Sequence, residues 1–142
     1  MLLIAVTACA TRKAPATGTR PEVRITQVSG VPPVARFTTG AMSVRYRVRV
    51  LNNAKEPITL QRVNIDSLGI GAYVVNHSAP FDVSIDPSRS REVDFWAPTE
   101  RSENVSGANG PVTLRVVASF NAPGGRFEDV TVQNVSAMGL VR

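Results

Sequence analysis

The chain has 142 residues, a length that fits one domain, with 43% hydrophobic and 19% charged residues. That balance supplies a core and excludes a disordered chain, and no apolar run reaches the ~18 residues of a membrane-spanning helix. A net charge of +5 admits anionic partners, while one cysteine and one histidine exclude an internal disulfide and leave too few ligands for a zinc centre.

Residues 1–8 (MLLIAVTA) are uncharged and mostly apolar, and Cys9 follows them. The four residues Val6-Thr7-Ala8-Cys9 resemble a bacterial lipobox: an aliphatic residue, two small residues, then cysteine. In that family the peptide is cleaved before the cysteine, whose thiol then carries a diacylglycerol. Small side chains let an extended backbone enter a peptidase groove, and the thiol is the best available nucleophile for the acyl-lipid transfer. The resemblance implies lipidation at Cys9 and a place in the bacterial cell envelope, on the periplasmic face of either membrane; a soluble periplasmic form is the alternative. Residues 1–8 are then the remnant of a signal peptide that starts upstream, because such peptides run ~15–30 residues and open with basic residues. Taken without the resemblance, the same residues also fit an apolar N-terminus with an incidental cysteine. Thr11 to Pro21 (TRKAPATGTRP) has no period and is rich in Ala, Thr and Pro, so residues 9–21 read as a flexible tether.

The body, residues 22–136, reads as short β-strands. EVRITQVS (22–29) alternates and is a first strand, and Pro32-Pro33 and Gly40 mark a connection. Met42 to Leu51 is the second strand, and within SVRYRVRVLN (43–52) it alternates without interruption: Val44, Tyr46, Val48 and Val50 against Arg45, Arg47 and Arg49. In ITLQRVNIDSL (58–68), Ile58 and Leu60 share one parity while Val63 and Ile65 share the other, which predicts a β-bulge near Gln61-Arg62. GIGAYVV (69–75) and FDVSID (81–86) are read as separate fourth and fifth strands, with His77 in a loop between them. SREVDFWA (90–97) follows, with Val93 and Phe95 inward and Trp96 near its end. A polar loop spans 99–110. PVTLRVVASFN (111–121) and GRFEDVTVQNV (125–135) form a final pair across Ala122-Pro123-Gly124-Gly125, and 137–142 is a tail.

About seven or eight strands at such spacing predict an all-β, two-sheet antiparallel sandwich. VRYRVRVLNNAKEPITLQRV and DPSRSREVDF resemble the corresponding segments of immunoglobulin-like and fibronectin type III-like domains, in which a polar turn or a Pro-Ser turn leads into an aliphatic strand. The resemblance covers about residues 22–135 and implies that the second strand lies beside the one carrying Glu92 and Asp94. The disulfide and core tryptophan of antibody domains are absent.

Arg45, Arg47 and Arg49 form the candidate basic face. On a half-buried strand they point to solvent, and three like charges in a row require acids across the ladder. Glu92 and Asp94 are the expected partners. The alternative is an open basic stripe for an anionic glycan or lipid head group. A nucleic-acid platform needs aromatics on the same face, and Tyr46 has the opposite parity. His77 beside Ser78 is no triad, and Asp82 and Asp86 flanking Ser84 are a thin calcium candidate. The sequence therefore predicts a non-enzymatic envelope lipoprotein, a structural or protein-interaction module with an envelope protein as partner, and with no metal, no cofactor, no nucleic acid and no small-molecule substrate.

Overall fold

The computed structural model describes residues 20–29, 41–102 and 111–136; Cys9, the tether, the tail and most of the 99–110 loop lie outside them. Alternating apolar residues form seven strands: β1 (Glu22–Ser29), β2 (Ala41–Leu51), β3 (Ile58–Leu68), β4 (Tyr73–Ile85), β5 (Ser90–Arg101), β6 (Val112–Ala122) and β7 (Gly125–Val135). They lie in the order β1-β2-β5-β4-β3-β6-β7, every neighbouring pair antiparallel, and curl into a nearly closed, barrel-like sheet. One parity of each strand faces inward. Tyr46, Val48 and Val50 of β2 pack there with Leu60, Val63 and Ile65 of β3 and Val116 and Phe120 of β6, all fully buried. The predicted bulge is present: the register of β3 shifts between Leu60 and Arg62 against both neighbours, which returns Val63 and Ile65 to the core.

Three sequence expectations are corrected. The expected fourth and fifth strands are one strand, β4, whose first residues pair with β5 and whose remainder pairs with β3. His77 and Pro80 lie inside that strand, opposite Ile65 and Arg62. Pro80 is accommodated because it falls where the bulge interrupts the ladder. His77 is consequently half-buried and stacked on Phe95 at 5.9 Å, where a loop position would have left it in solvent. Trp96 sits well inside β5, which continues to Arg101.

Six antiparallel pairings separate β1 from β7, so these two edge strands run parallel where the sheet nearly closes. The Gln133 side chain bridges the gap. The Gln133 carboxamide accepts a hydrogen bond from the Ile25 N–H (3.1 Å) and donates one to the Val23 carbonyl (2.8 Å). The backbone N–H and C=O of a residue opposite Arg24 on a parallel partner strand would make the same two bonds. Asp129 faces the same seam from β7; burial pushes its carboxyl above the ordinary carboxylate value, and Arg20 opposes that shift. A half-buried acid on an edge strand discourages further strand pairing there.

The alternating directions give the sheet two ends. One end carries the start of β1 and the turns β2–β3, β4–β5 and β6–β7; the other carries the β3–β4 turn and the end of β7. At the first end Asn52 is fully buried and joins two turns. Its Nδ2 donates to the carbonyls of Glu56 (2.8 Å) and Ile85 (2.9 Å), and its Oδ1 accepts from the Ala54 N–H (2.9 Å). The Asn52 backbone also bonds to Ser88 and Arg89 across the β4–β5 turn, where Ser88 takes a positive φ of 61°. Inside the sheet, Tyr46 Oη donates to Tyr73 Oη (2.8 Å), which donates to Gln27 Oε1 (2.9 Å), a hydrogen-bonded chain of three buried polar side chains.

Candidate functional site

The outward parity of β1, β2 and β5 builds one face. The β1–β2 register sets Arg24 opposite Arg49 and Thr26 opposite Arg47. The β2–β5 register sets Arg49 opposite Glu92, Arg47 opposite Asp94 and Arg45 opposite Trp96. The three arginines singled out in the sequence are therefore neighbours on one face, but they are not equivalent.

Asp94 holds two of them. Its carboxylate accepts from Arg47 Nε (2.8 Å) and Nη2 (3.0 Å), and from Arg45 Nη2 (2.5 Å). The hydrogen bond from Arg47 keeps the Asp94 carboxyl below the ordinary carboxylate range; burial opposes it, and the bond from Arg45 adds a smaller lowering effect. The bond between Arg47 and Asp94 also raises the Arg47 guanidinium. Glu92 stands 3.9 Å from Arg47 as a looser partner. Arg49 is exposed and among the described residues reaches only Ser90 Oγ at 3.5 Å, while Arg24, directly opposite, pairs with Glu22. Two like charges opposite each other on adjacent strands are unfavourable, and among the described residues Arg49 has no carboxylate within ion-pair distance, so the Arg24–Arg49 corner is the most cationic part of the face. Four arginines meet four acids over the whole face once Glu100 near the end of β5 is included, which makes it mixed and close to neutral.

Trp96 is the residue that sequence reasoning missed. It is 45% exposed, directly across from Arg45. The parity of Trp96 was legible: Phe95 inward means Trp96 outward. Its position beside Arg45 needed the β2–β5 register, which no local pattern carries. An aromatic therefore does share the face of the arginines.

The remaining candidates do not converge. Asp82 and Asp86 are both exposed, and among the described residues no three His, Cys, Asp or Glu side chains lie together. On the opposite side of the sheet a shallow cleft of about 580 Å³ is lined by Gln61, Arg62, Asn64, Arg126 and Glu128 among others. It lies over the β3 bulge, and among the described residues Asn64 Oδ1 is buried there without a hydrogen-bond partner.

No family model matches the chain, and no curated protein matches it. Solved structures do. A Bordetella pertussis protein described as ApaA superposes with a TM-score of 0.57 at 17% identity, covering 87% of this chain and 98% of its own. A Northeast Structural Genomics Consortium target, SoR45, superposes with a TM-score of 0.55 at 11% identity, covering 91% and 94%. An Archaeoglobus fulgidus protein superposes with a TM-score of 0.53 at 12% identity, covering 80% and 91%. At these identities the likeness establishes a small all-β fold and nothing about activity.

An Asp94→Asn variant tests how the face is neutralised. Solvent screens the pairs it removes, so the melting temperature is expected to change little. Retention on a sulfated-polysaccharide column is expected to rise, because two guanidiniums lose their carboxylate. Unchanged retention would show that Asp94 does not mask them.

Proposed function

We propose that the protein is a membrane-tethered, non-enzymatic module of the bacterial cell envelope, held by a lipid on Cys9, which docks a protein partner on the β1-β2-β5 face. The observation that carries this reading is Trp96, half-exposed beside an Arg45 that Asp94 fixes in place. Tryptophan and arginine dominate the energetic centres of protein interfaces, and a side chain held on a rigid sheet loses little entropy on binding. The near balance of charge on the face favours a protein surface over a polyanion.

The finer architecture we propose is a fibronectin type III-like sandwich, with β1-β2-β5 as one layer and β4-β3-β6-β7 as the other. Its support is the β4–β5 ladder, which covers only residues 73–75 of β4, while β3 pairs along most of the strand.

Chemical cross-linking in intact envelopes, comparing the unaltered chain with Trp96→Ala and Cys9→Ser, tests the reading. A partner adduct that Trp96→Ala reduces about tenfold is expected, together with release of the Cys9→Ser protein from the membrane. An adduct indifferent to Trp96→Ala would remove this face from the interaction. A Cys9→Ser protein that stays in the membrane fraction would remove the lipid tether.

A second reading draws on the Arg24–Arg49 corner, where opposed guanidiniums would welcome an anionic glycan or lipid head group. Loss of salt-dependent binding in Arg49→Glu, with Trp96→Ala neutral, would favour it over the protein partner.

A further inference from the structure

The β3–β4 turn presents an aliphatic tip. Ile70 lies between two glycines and is 87% exposed, and Leu68 and Val74, on either side of the turn, are also exposed. A turn is where polar residues are expected, so three aliphatic side chains there call for a cause.

The tip is held firmly. Gly69 takes a positive φ of 68°, a conformation that a side chain would strain. Gly71 packs so closely on the start of β6 that a Cβ would meet the Val112 side chain at 3.3 Å and the Pro111 carbonyl at 3.4 Å. The next residues, Ala72 and Tyr73, are buried, and the Ala72 carbonyl accepts from the Ser102 N–H. Ser67 Oγ exchanges hydrogen bonds with the Val75 backbone across the base of the turn (3.0 and 3.3 Å). Ile70 therefore projects from a turn fixed on both sides, and little freedom is left to lose when it is buried.

The surroundings decide what the tip fits. The β4–β5 register sets Glu100 directly opposite Val74, with both exposed, so an acid rims the apolar patch. Arg115, two residues past Leu68's partner Thr113, is paired with Asp66 at 2.9 Å. The Glu100 carboxylate disfavours an anionic bilayer, and the three exposed side chains of the tip, Leu68, Ile70 and Val74, are neither aromatic nor basic, the types that hold proteins at membrane interfaces. The turn also lies at the end of the sheet away from the start of β1.

We infer that the Leu68-Ile70-Val74 tip is a preformed plug that seats in an apolar pocket of a second protein, a pocket bordered by basic residues that meet Glu100. The inference rests on the reading of this domain as an interaction module; Glu100, outward on β5 four residues beyond Trp96, places the tip at the far end of the same face.

The test places a photoreactive phenylalanine analogue at position 70 in the full chain in its native cells, with the same analogue at Lys55, at the opposite end, as control. Irradiation is expected to give one protein adduct from position 70 and not from position 55. Val74→Ser and Glu100→Arg, introduced separately, are each expected to lower its yield about fivefold or more, the second through loss of charge complementarity. Unchanged thermal melting of both exposed-site variants confirms that the fold is intact. No adduct, an adduct with the mass of a second copy of this chain, an adduct indifferent to both variants, or Ile70-dependent binding to phosphatidylglycerol vesicles would overturn the inference. The Trp96→Ala cross-linking result separates its failure from failure of the module reading: a Trp96-dependent adduct with a silent position 70 rejects only the tip.

Discussion

Asn52→Ala is expected to destabilise the protein by about 2–4 kcal/mol, because two backbone carbonyls and one backbone N–H lose their partner at a buried corner. The side chain is short, yet it serves the β2–β3 turn through Ala54 and Glu56 and the end of β4 through Ile85. In a domain of this size each kcal/mol moves the melting temperature by roughly 4 °C, so the loss is easily read. Urea unfolding should show a lower midpoint with an unchanged slope. Asn52→Asp sharpens the test. A carboxylate would set oxygen against the Glu56 and Ile85 carbonyls where an N–H now donates. Its penalty should exceed that of alanine at neutral pH and shrink as pH falls and the new carboxyl takes up a proton. A loss below about 0.5 kcal/mol for Asn52→Ala, the range of ordinary surface changes, would show that the turns do not depend on this corner.

The second large effect lies at alkaline pH. The chain has two tyrosines, and both are buried and hydrogen-bonded to each other. Burial, with the bond to Tyr73, raises the Tyr46 phenol far above its ordinary value. Burial raises Tyr73 as well, although its bond from Tyr46 works the other way. Unfolded tyrosines lose their protons near pH ~10. Above that pH the unfolded chain binds fewer protons than the folded one, so stability is intact below pH ~10 and falls as pH rises, by up to about 2.7 kcal/mol per pH unit for two groups. Phenolate absorbance and loss of circular dichroism should then rise together in one transition. Phenolate forming near pH ~10 in protein that is still folded would contradict the buried chain. Tyr73→Phe should advance the unfolding, since it orphans both Tyr46 Oη and Gln27 Oε1.

What the sequence disclosed followed the range of each signal. The alternation of β2 and β6 is local and strong, and their buried faces match it residue for residue. The bulge in β3 was legible because a parity switch between Leu60 and Val63 has few other causes. The pairing of Arg45 and Arg47 with Asp94 followed from parity and an assumed neighbour. The failures concern contacts that only another strand can supply. Asn76 to Pro80 has the composition of a loop, yet β3 pairs along it and draws it into β4. Trp96 looked like a strand-end residue until the β2–β5 register placed it across from Arg45. The Tyr46–Tyr73–Gln27 chain joins three strands at sequence separations of 27 and 46 residues, and no window along the chain contains it. Gln133 reads as an ordinary outward-or-inward position on an edge strand; its service to β1 lies 108 residues away.

The parallel course of β1 and β7 has a mechanical meaning. The first residue of β1 and the last of β7 lie at opposite ends of the sheet, so tension between them runs along the strands. Along that line the β1–β2 ladder and the Gln133 bridge are loaded sideways. Their hydrogen bonds then share the strain and yield together, where a pull across the strands would open them one after another. A domain strung between a membrane anchor before β1 and a load beyond β7 would resist in its stiffest direction.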